Sequence, residues 1–449
     1  MSMFEEAAKY AKSVVYEDLP AEVIDIAKRA MIDYSGVVIA GSHDQESEVI
    51  QRYVRQIASR PEAGVVGCKD KVSIHLAALA NSFAGHVLDF DDGGLPVGHH
   101  SVVVLPVLFA IGETIGASGK DILTAYITSY QVGSAISDTF ERAAWFRGWH
   151  MTCIGGIFGA TTAASLLLGL TEEQFVNALG IATSQASGIK GNFGTRTKPY
   201  QVGSTASKGV EAAILASYGI NSSPITMEAT DGYFKVITGS PYEGQKANFK
   251  GPWYMLEPGI QFKLYPACSG VFTAIESIVK LATENDIRPE DVAKIYLGTD
   301  KSGPRMMICH NPVDVSGARF SFEYCAAAPL VLRTGGLKAF TEEAVADPRI
   351  RELMTKVEIK VEDELSEPYR WTHPSRVKII MKDGREFVCR CDAPRGAPGN
   401  QLNDAEFSAK FMECTKKWMA PEQSKSMLND LFEMEKVANI GDFTSKMYL

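Results

Sequence analysis

The chain has no pair of cysteines spaced Cys-x-x-Cys. Its eight cysteines, Cys68, Cys153, Cys268, Cys309, Cys325, Cys389, Cys391 and Cys414, are scattered through 449 residues. The tightest spacing, Cys389-Arg390-Cys391, falls in a run that reads as a strand. Zinc and iron–sulfur sites gather thiolates, so neither is expected, and a disulfide scaffold belongs to shorter, cysteine-denser chains. Basic residues are also in deficit: 45 Lys and Arg against 54 Asp and Glu give a net charge of −9. That excludes the broad basic face needed for nucleic acid or an anionic membrane surface, though not a local basic pocket for a small anion. The N-terminus, MSMFEEAAKY, lacks the basic-then-apolar order of a signal sequence. A cytoplasmic location with reduced thiols is therefore expected. Familiar catalytic patterns are missing as well. No Gly-x-Gly-x-x-Gly follows a strand, GNFGTRTK (191–198) has the wrong spacing for a phosphate loop, and neither Gly-x-Ser-x-Gly nor His-Glu-x-x-His occurs.

What is present is an ordinary globular composition, 45% hydrophobic and 22% charged, in a chain long enough for two or three domains with sizeable cores. Up to about residue 256 the apolar period is helical. Val23, Ala27, Ala30, Met31, Tyr34, Val37 and Val38 recur at three and four after Pro20. Similar stretches run from Val72 to about Asp89, Asp121 to Ser137 and Ile154 to Leu168. Thr171-Glu172-Glu173-Gln174 reads as a capping box after Gly169, and a further helix follows Pro199. No strand is expected in this half. Met151 to Leu170 is uncharged and long enough to span a bilayer, but its glycines and threonines fit the buried centre of a helical domain better.

Beyond Glu257-Pro258-Gly259 the pattern changes. After a helix from about Ser269 to Thr283, strand-like runs appear at Ala293–Thr299, Val357–Val361 and Val377–Met381. VKIIMKDGREFVCRC reads as a hairpin turning at Asp383-Gly384. The linker APRGAPGN (393–400) precedes two amphipathic helices. The expected fold is mainly α: a large all-helical domain (1–256), a smaller α+β lid domain (257–395), and C-terminal helices (396–449) that return to the first.

Four segments could carry chemistry. HVLDFDDGGLPVGHHS (86–101) places three aspartates at a helix C-terminus, where the dipole disfavours them, followed by two histidines. An aspartate there could orient a histidine for proton exchange, or Asp91 and Asp92 could simply be solvated or cap the loop. WFRGWHMT (145–152) carries His150, for which a satisfied core histidine is the default. NFGTRTKPYQVGS (192–204) sets Arg196 and Lys198 before a helix whose first N–H groups suit a carboxylate, although two solvated charges in a loop would look the same. QFKLYPACSG (261–270) holds Lys263 among apolar residues, either perturbed or snorkelling outward.

Taken together, LDFDDGGLPVGHHS, GWHMTCIGGIFGATTAA, NFGTRTKPYQVGS, FKLYPAC, RFSFEY (319–324) and GAPGNQLNDAEFSAKF resemble the MmgE/PrpD family, in the family order and across nearly the whole chain. That family includes 2-methylcitrate dehydratases, cis-aconitate decarboxylases and iminodisuccinate epimerase. The resemblance implies a helical domain with an α+β lid, usually as a homodimer, working without metal or organic cofactor on a small anionic carboxylate. It implies an active-site cleft using Asp89, His99, His150, Lys198, Lys263 and Tyr324, with Arg196, Gln201 and His100 as further substrate contacts. The shared chemistry is removal of a proton next to a carboxylate; what leaves afterwards sets the reaction. Lys198, Lys263 and backbone N–H groups near 199–203 would stabilise the enolate-like charge. His99, oriented by Asp89, would be the base or acid with His150 as partner, and Tyr324 would position a carboxylate or pass a proton. A dehydratase or decarboxylase is the leading expectation, an epimerase the second, and a non-catalytic carboxylate-binding relative the third. The chain departs from the family pattern at Gly93 (often threonine), His100 (often proline), Gln201 (often histidine) and Phe272 (often histidine). These changes leave the fold expectation intact and the substrate open.

Overall fold

A computed structural model describes every residue except 58, 367–371 and 449. Among the described residues the first half has eight helices of twelve residues or more: Ala21–Ser42, Gln45–Gln56, Ile74–His86, Ser101–Ile115, Gly119–Asp138, Gly156–Leu167, Glu172–Gln185 and Thr197–Ser217. Several are buried almost all round, because each is surrounded by others. Small residues allow this closeness: a Cβ on Gly209 would stand 2.5 Å from that of Ala160, and one on Gly203 2.6 Å from the Leu79 carbonyl oxygen. The capping box forms as expected, Thr171 accepting from the Gln174 amide and the Gln174 side chain from the Thr171 amide. Gly169, at φ 67°, ends the helix before it.

Two expectations for this half are corrected. Met151–Leu170 is not one helix; a break at Gly155 separates Met151–Ile154 from Gly156–Leu167. No helix among the described residues is long and apolar enough to cross a membrane. The half is also not free of strand, since Ala63–Gly64 pairs antiparallel with Lys71–Val72. Two-residue strands are too short to show a period.

The second core lies between residues 267 and 381. A four-stranded sheet runs in the order 357–361, 292–299, 375–381, 386–391, the first pair parallel and the others antiparallel. The hairpin turns at Asp383-Gly384, with Gly384 at φ 89°. Strand Ser375–Met381 alternates buried and half-buried residues, and its inner face meets the helix Phe272–Glu284.

From Asp404 the chain packs back onto the first half. Phe407 and Phe411 join the core around helix Ala21–Ser42. Lys410 Nζ, buried, donates to Asp33 Oδ1 at 2.5 Å and to the Phe90 carbonyl at 2.8 Å. That contact ties the returning helix to the loop carrying the aspartate cluster.

Candidate active site

Helix Ile74–His86 ends in the loop that builds the site. Asp89 takes φ 48°, a left-handed conformation that Asp tolerates better than most residues. Gly93 then exchanges two backbone hydrogen bonds with Gln261, at 2.9 and 2.7 Å, which stitches the loop to the segment carrying Lys263. Gly98, at φ 93°, must be glycine for a second reason: a Cβ would lie 2.8 Å from Thr152 Oγ1, the atom that accepts from the His99 amide.

Lys198 and Lys263 meet on Asp89. Lys198 Nζ donates to Asp89 Oδ1 at 2.6 Å, and Lys263 Nζ lies 3.2 Å from the same oxygen. Lys263 also donates to the carbonyls of Asp89 (3.0 Å) and Ala267 (3.1 Å), so its three N–H groups are occupied. Burial alone would push the Asp89 carboxyl up, but the two ammonium groups hold it well below the usual range. The trio carries a net charge of +1 in a buried setting. Lys198 also stands between the rings of Phe193 and Phe320, 5.5 and 5.3 Å from their centroids.

The expected partner of His99 is corrected. Asp91 Oδ2 lies 3.1 Å from His99 Nδ1, whereas Asp89 Oδ1 is 4.0 Å from Nε2. The Asp92 carbonyl oxygen accepts from the same Nδ1 at 2.8 Å. Both neighbours of Nδ1 only accept, so it carries the proton and Nε2 is left for a ligand. Asp91 also accepts from His86 Nδ1 at 3.0 Å, and the His86 ring stands edge-on to His99, centroids 4.6 Å apart. Burial pushes His86 down to about 4. Buried between two imidazoles, Asp91 is held well below the ordinary carboxylate range. Asp92 is buried too and accepts from Ser101 Oγ, which also bonds the Tyr126 hydroxyl.

His150 is fixed from the other side. Its Nδ1 donates to Gln201 Oε1 at 2.9 Å, while the Gln201 amide nitrogen donates to the Ile189 carbonyl, which sets which end of the amide faces the ring. The imidazole therefore also offers Nε2. Burial, then Lys198, pushes its pKa well below the ordinary value, so it is neutral at physiological pH.

One cavity of about 70 Å³ is lined by Asp89, His99, His150, Lys198 and Lys263, together with Trp145, Lys190 and Phe320. Four other expected site residues lie outside it. Tyr324 is buried in the second core, where its hydroxyl donates to the Ala339 carbonyl at 2.7 Å. His100 fills a slot between two helices, where a Cβ on Gly133 or Gly159 would meet its ring at 2.7 or 2.1 Å. Arg196 is exposed and paired with Glu46 at 3.1 Å. Gln201 orients His150 instead of lining the cavity. Nor are the N–H groups near 199–203 available. The first-turn amides of Thr197 and Lys198 bond Thr195, residue 199 is proline, and Tyr200 bonds the Arg196 carbonyl. Phe272 is buried with its ring 5.6 Å from Lys263 Nζ.

The sequence profile of the MmgE/PrpD N-terminal domain matches residues 5–245, and that of the MmgE/PrpD C-terminal domain matches 265–433. The chain belongs to the MmgE/PrpD family. Its relatives include the cis-aconitate decarboxylase of Homo sapiens, 29% identical over 95% of this chain and 90% of that protein. The cis-aconitate decarboxylase of Aspergillus terreus is 26% identical over 89% of this chain and 86% of its own length. The mitochondrial 2-methylcitrate dehydratase of Yarrowia lipolytica is 25% identical over 59% of this chain and 52% of the relative. This MmgE/PrpD protein is accordingly an enzyme of the carboxy-lyase or hydro-lyase kind.

Two site residues were not legible as such in the sequence, Asp91 and His86. The signal that could have found them is the crowding of aspartates after His86: three carboxylates at a helix C-terminus need cations, and the neighbouring imidazoles are the first candidates. His86, Asp89, Asp91 and His99 bring possible ligand atoms within 4.8 Å of one another. A metal ion placed there would compete with two ammonium groups for Asp89 and with two imidazole N–H groups for Asp91, so the donor set fits one poorly.

Proposed function

We propose that this enzyme is a metal- and cofactor-independent lyase acting on a small tricarboxylic acid, with decarboxylation favoured over dehydration. The observation that carries this reading is the convergence of Lys198, Lys263 and two Nε2-presenting histidines, His99 and His150, on one cavity. The decarboxylase relatives, matched over most of their length, favour loss of carbon dioxide. In such a step the bond from carbon to the departing carboxylate breaks and its electron pair stays on the substrate, spread onto a neighbouring carboxylate. A proton delivered to carbon closes the reaction. In dehydration a base first takes a proton beside a carboxylate, and the hydroxyl departs as water after protonation.

Both routes develop negative charge next to a carboxylate, which the net positive Lys198–Asp89–Lys263 group offsets without reorganising. His150, neutral, offers an Nε2 lone pair as base. His99 gains positive charge when it takes up a proton, and anionic Asp91 offsets that charge at Nδ1, so His99 suits the proton donor. The enzyme acts as a cytoplasmic homodimer with a helical domain (1–256), an α+β lid (257–395) and returning C-terminal helices (396–449); the separate core at 267–381 and the packing of Phe407 and Phe411 on helix Ala21–Ser42 support that division.

The test is incubation in deuterated water with cis-aconitate, 2-methylcitrate and related acids. Deuterium incorporated with release of carbon dioxide or water supports the lyase. Incorporation with inversion and no loss would replace it by an epimerase, and saturable binding without exchange by a carboxylate-binding protein.

A further inference from the structure

A 70 Å³ cavity accommodates only a handful of water-sized groups, fewer than the dozen heavy atoms of a tricarboxylic acid. The rest of such a molecule must extend outward, and of the adjoining cavities the roomier lies on the Trp145 side, the one beyond Asp89, Lys198 and Phe320 measuring only about 20 Å³. The cavity shares Leu95, Glu141 and Trp145 with a larger one of about 430 Å³, whose further walls include Phe146, Lys301 and Arg305. Helical-domain residues 141–146 thus face residues 301–305 of the second half across it.

Lys190 lines the inner cavity beside Trp145, a wall that both cavities share. Its Nζ lies 3.3 Å from the centroid of the Trp145 ring, and among the described residues no carboxylate reaches it within ion-pair distance. Arg305 lies over the Phe146 ring at 5.6 Å and is likewise without an ion-pair partner among the described residues. Burial, then the charge of Arg305, pushes Lys190 down to about 8. The neighbouring carboxyl, Glu141, is pushed up to about 7 by burial and by Asp138, and so supplies only part of a negative charge near neutrality. Two cations that repel each other across a boundary, each braced on an aromatic face, form a site that an anion would complete.

We propose that Lys190, seconded by Arg305, is the specificity site for the carboxylate of the substrate furthest from the reacting carbon. This rests on the lyase reading above and deepens it. The inner lysines and histidines handle the reacting end. Lys190 distinguishes acids with a third carboxylate from those without one, through a charge-assisted hydrogen bond in a half-buried setting.

The experiment measures equilibrium binding of two unreactive acids, propane-1,2,3-tricarboxylate and butanedioate, to the full chain and to Lys190→Gln and Lys190→Arg, with melting curves to verify folding. In the unaltered protein the tricarboxylate binds more tightly. Lys190→Gln is expected to reduce the ratio of the two dissociation constants by about tenfold or more, the scale of one charge-assisted contact, and Lys190→Arg to recover most of it. A folded Lys190→Gln protein with an unchanged ratio would overturn the site. So would equal weakening of both acids, which marks a packing role against Trp145. If the ratio responds but no acid on the deuterium panel exchanges, the site stands as a binding site and the lyase reading fails. If the unaltered protein binds neither acid, the specificity site falls, and the lyase reading is left to the deuterium panel.

Discussion

Asp91, and not Asp89, holds His99: its Oδ2 lies 3.1 Å from Nδ1, while the nearest oxygen of Asp89 is 4.0 Å from Nε2. Two aspartates two residues apart therefore do different work. Asp89 is taken by ammonium groups and organises the positive side of the cavity. Asp91 is taken by imidazoles and organises proton transfer.

Asp91→Asn is therefore expected to cut turnover by about 10²–10⁴-fold, the range for disabling an oriented acid–base group. The amide cannot offset charge on two imidazoles and presents an N–H toward one of them. Turnover measured beside a melting curve decides the matter. A folded variant with near-normal turnover would show that His99 needs no carboxylate at Nδ1.

His99→Gln should abolish turnover while the protein still folds, since the ring is the most accessible of the site imidazoles. His100→Pro should act on stability instead. The backbone at 100, φ −75° and ψ −42°, suits proline, but the slot against Gly133 and Gly159 would lose its filling. A lowered melting temperature with kcat within about tenfold of normal is expected. A dead but fully stable His100 variant would mean the two histidines have been assigned in the wrong order.

Lys263→Met and Lys198→Met should differ. Lys263 has all three N–H groups bonded within the protein, so its loss takes the donor from the Asp89 and Ala267 carbonyls as well as one ammonium group from buried Asp89, and costs about 3–5 kcal/mol of stability. Lys198, whose one bond is also to Asp89, keeps two N–H groups for a ligand in the cavity that both lysines line, so its loss, with Lys263 still on Asp89, should cost less stability and fall mainly on kcat, by about 10²-fold or more. Chemical denaturation and initial rates on both variants separate the two roles. Equal effects on both measurements would merge them.

Acid should destabilise the fold from about pH 6.5 downward. His86 and His100 are pushed down to about 4 and about 3 by burial. Between those values and the ordinary histidine value near 6.5, the unfolded chain binds more protons than the folded one, so stability falls as pH falls. At pH 5 each such histidine costs about 2 kcal/mol relative to neutral pH. Glu141, raised to about 7, works in the opposite direction between about 4.3 and 7. The informative comparison is therefore His100→Gln against the unaltered chain, melted at pH 7 and pH 5. The variant should lose less on acidification; parallel losses would remove His100 as a contributor.

Prolonged treatment with a strong chelator should leave turnover unchanged, because the carboxylates near His86 and His99 are already paired with cationic and N–H donors. Activity lost and then restored by one divalent ion would reverse this expectation.

Much of the fold could be read along the chain. Helical periodicity, the capping box at Thr171 and the Asp383-Gly384 turn are local signals, set by side-chain spacing and backbone preference over a few residues. The two-residue strands at 63–64 and 71–72 and the break at Gly155 were not legible, since neither changes the apolar pattern around it.

The sequence by itself determined which chemistry was available: histidines, aspartates and lysines in glycine-rich loops, no clustered thiolates, and a net charge of −9 that leaves the binding of an anion to a local pocket. Only the tertiary structure decided which of these groups work together. Lys198 and Lys263 lie 65 positions apart and share one carboxylate oxygen because the loop after helix Ile74–His86 is bonded through Gly93 to Gln261. His99 and His100 are adjacent in the chain, yet one lines the cavity and the other fills a slot between Gly133 and Gly159. Tyr324 belongs to a promising motif and spends its hydroxyl on Ala339. Pairing of polar groups depends on distances of 3 Å set by packing among distant segments, and one residue of rotation at a helix end moves a side chain from cavity to core.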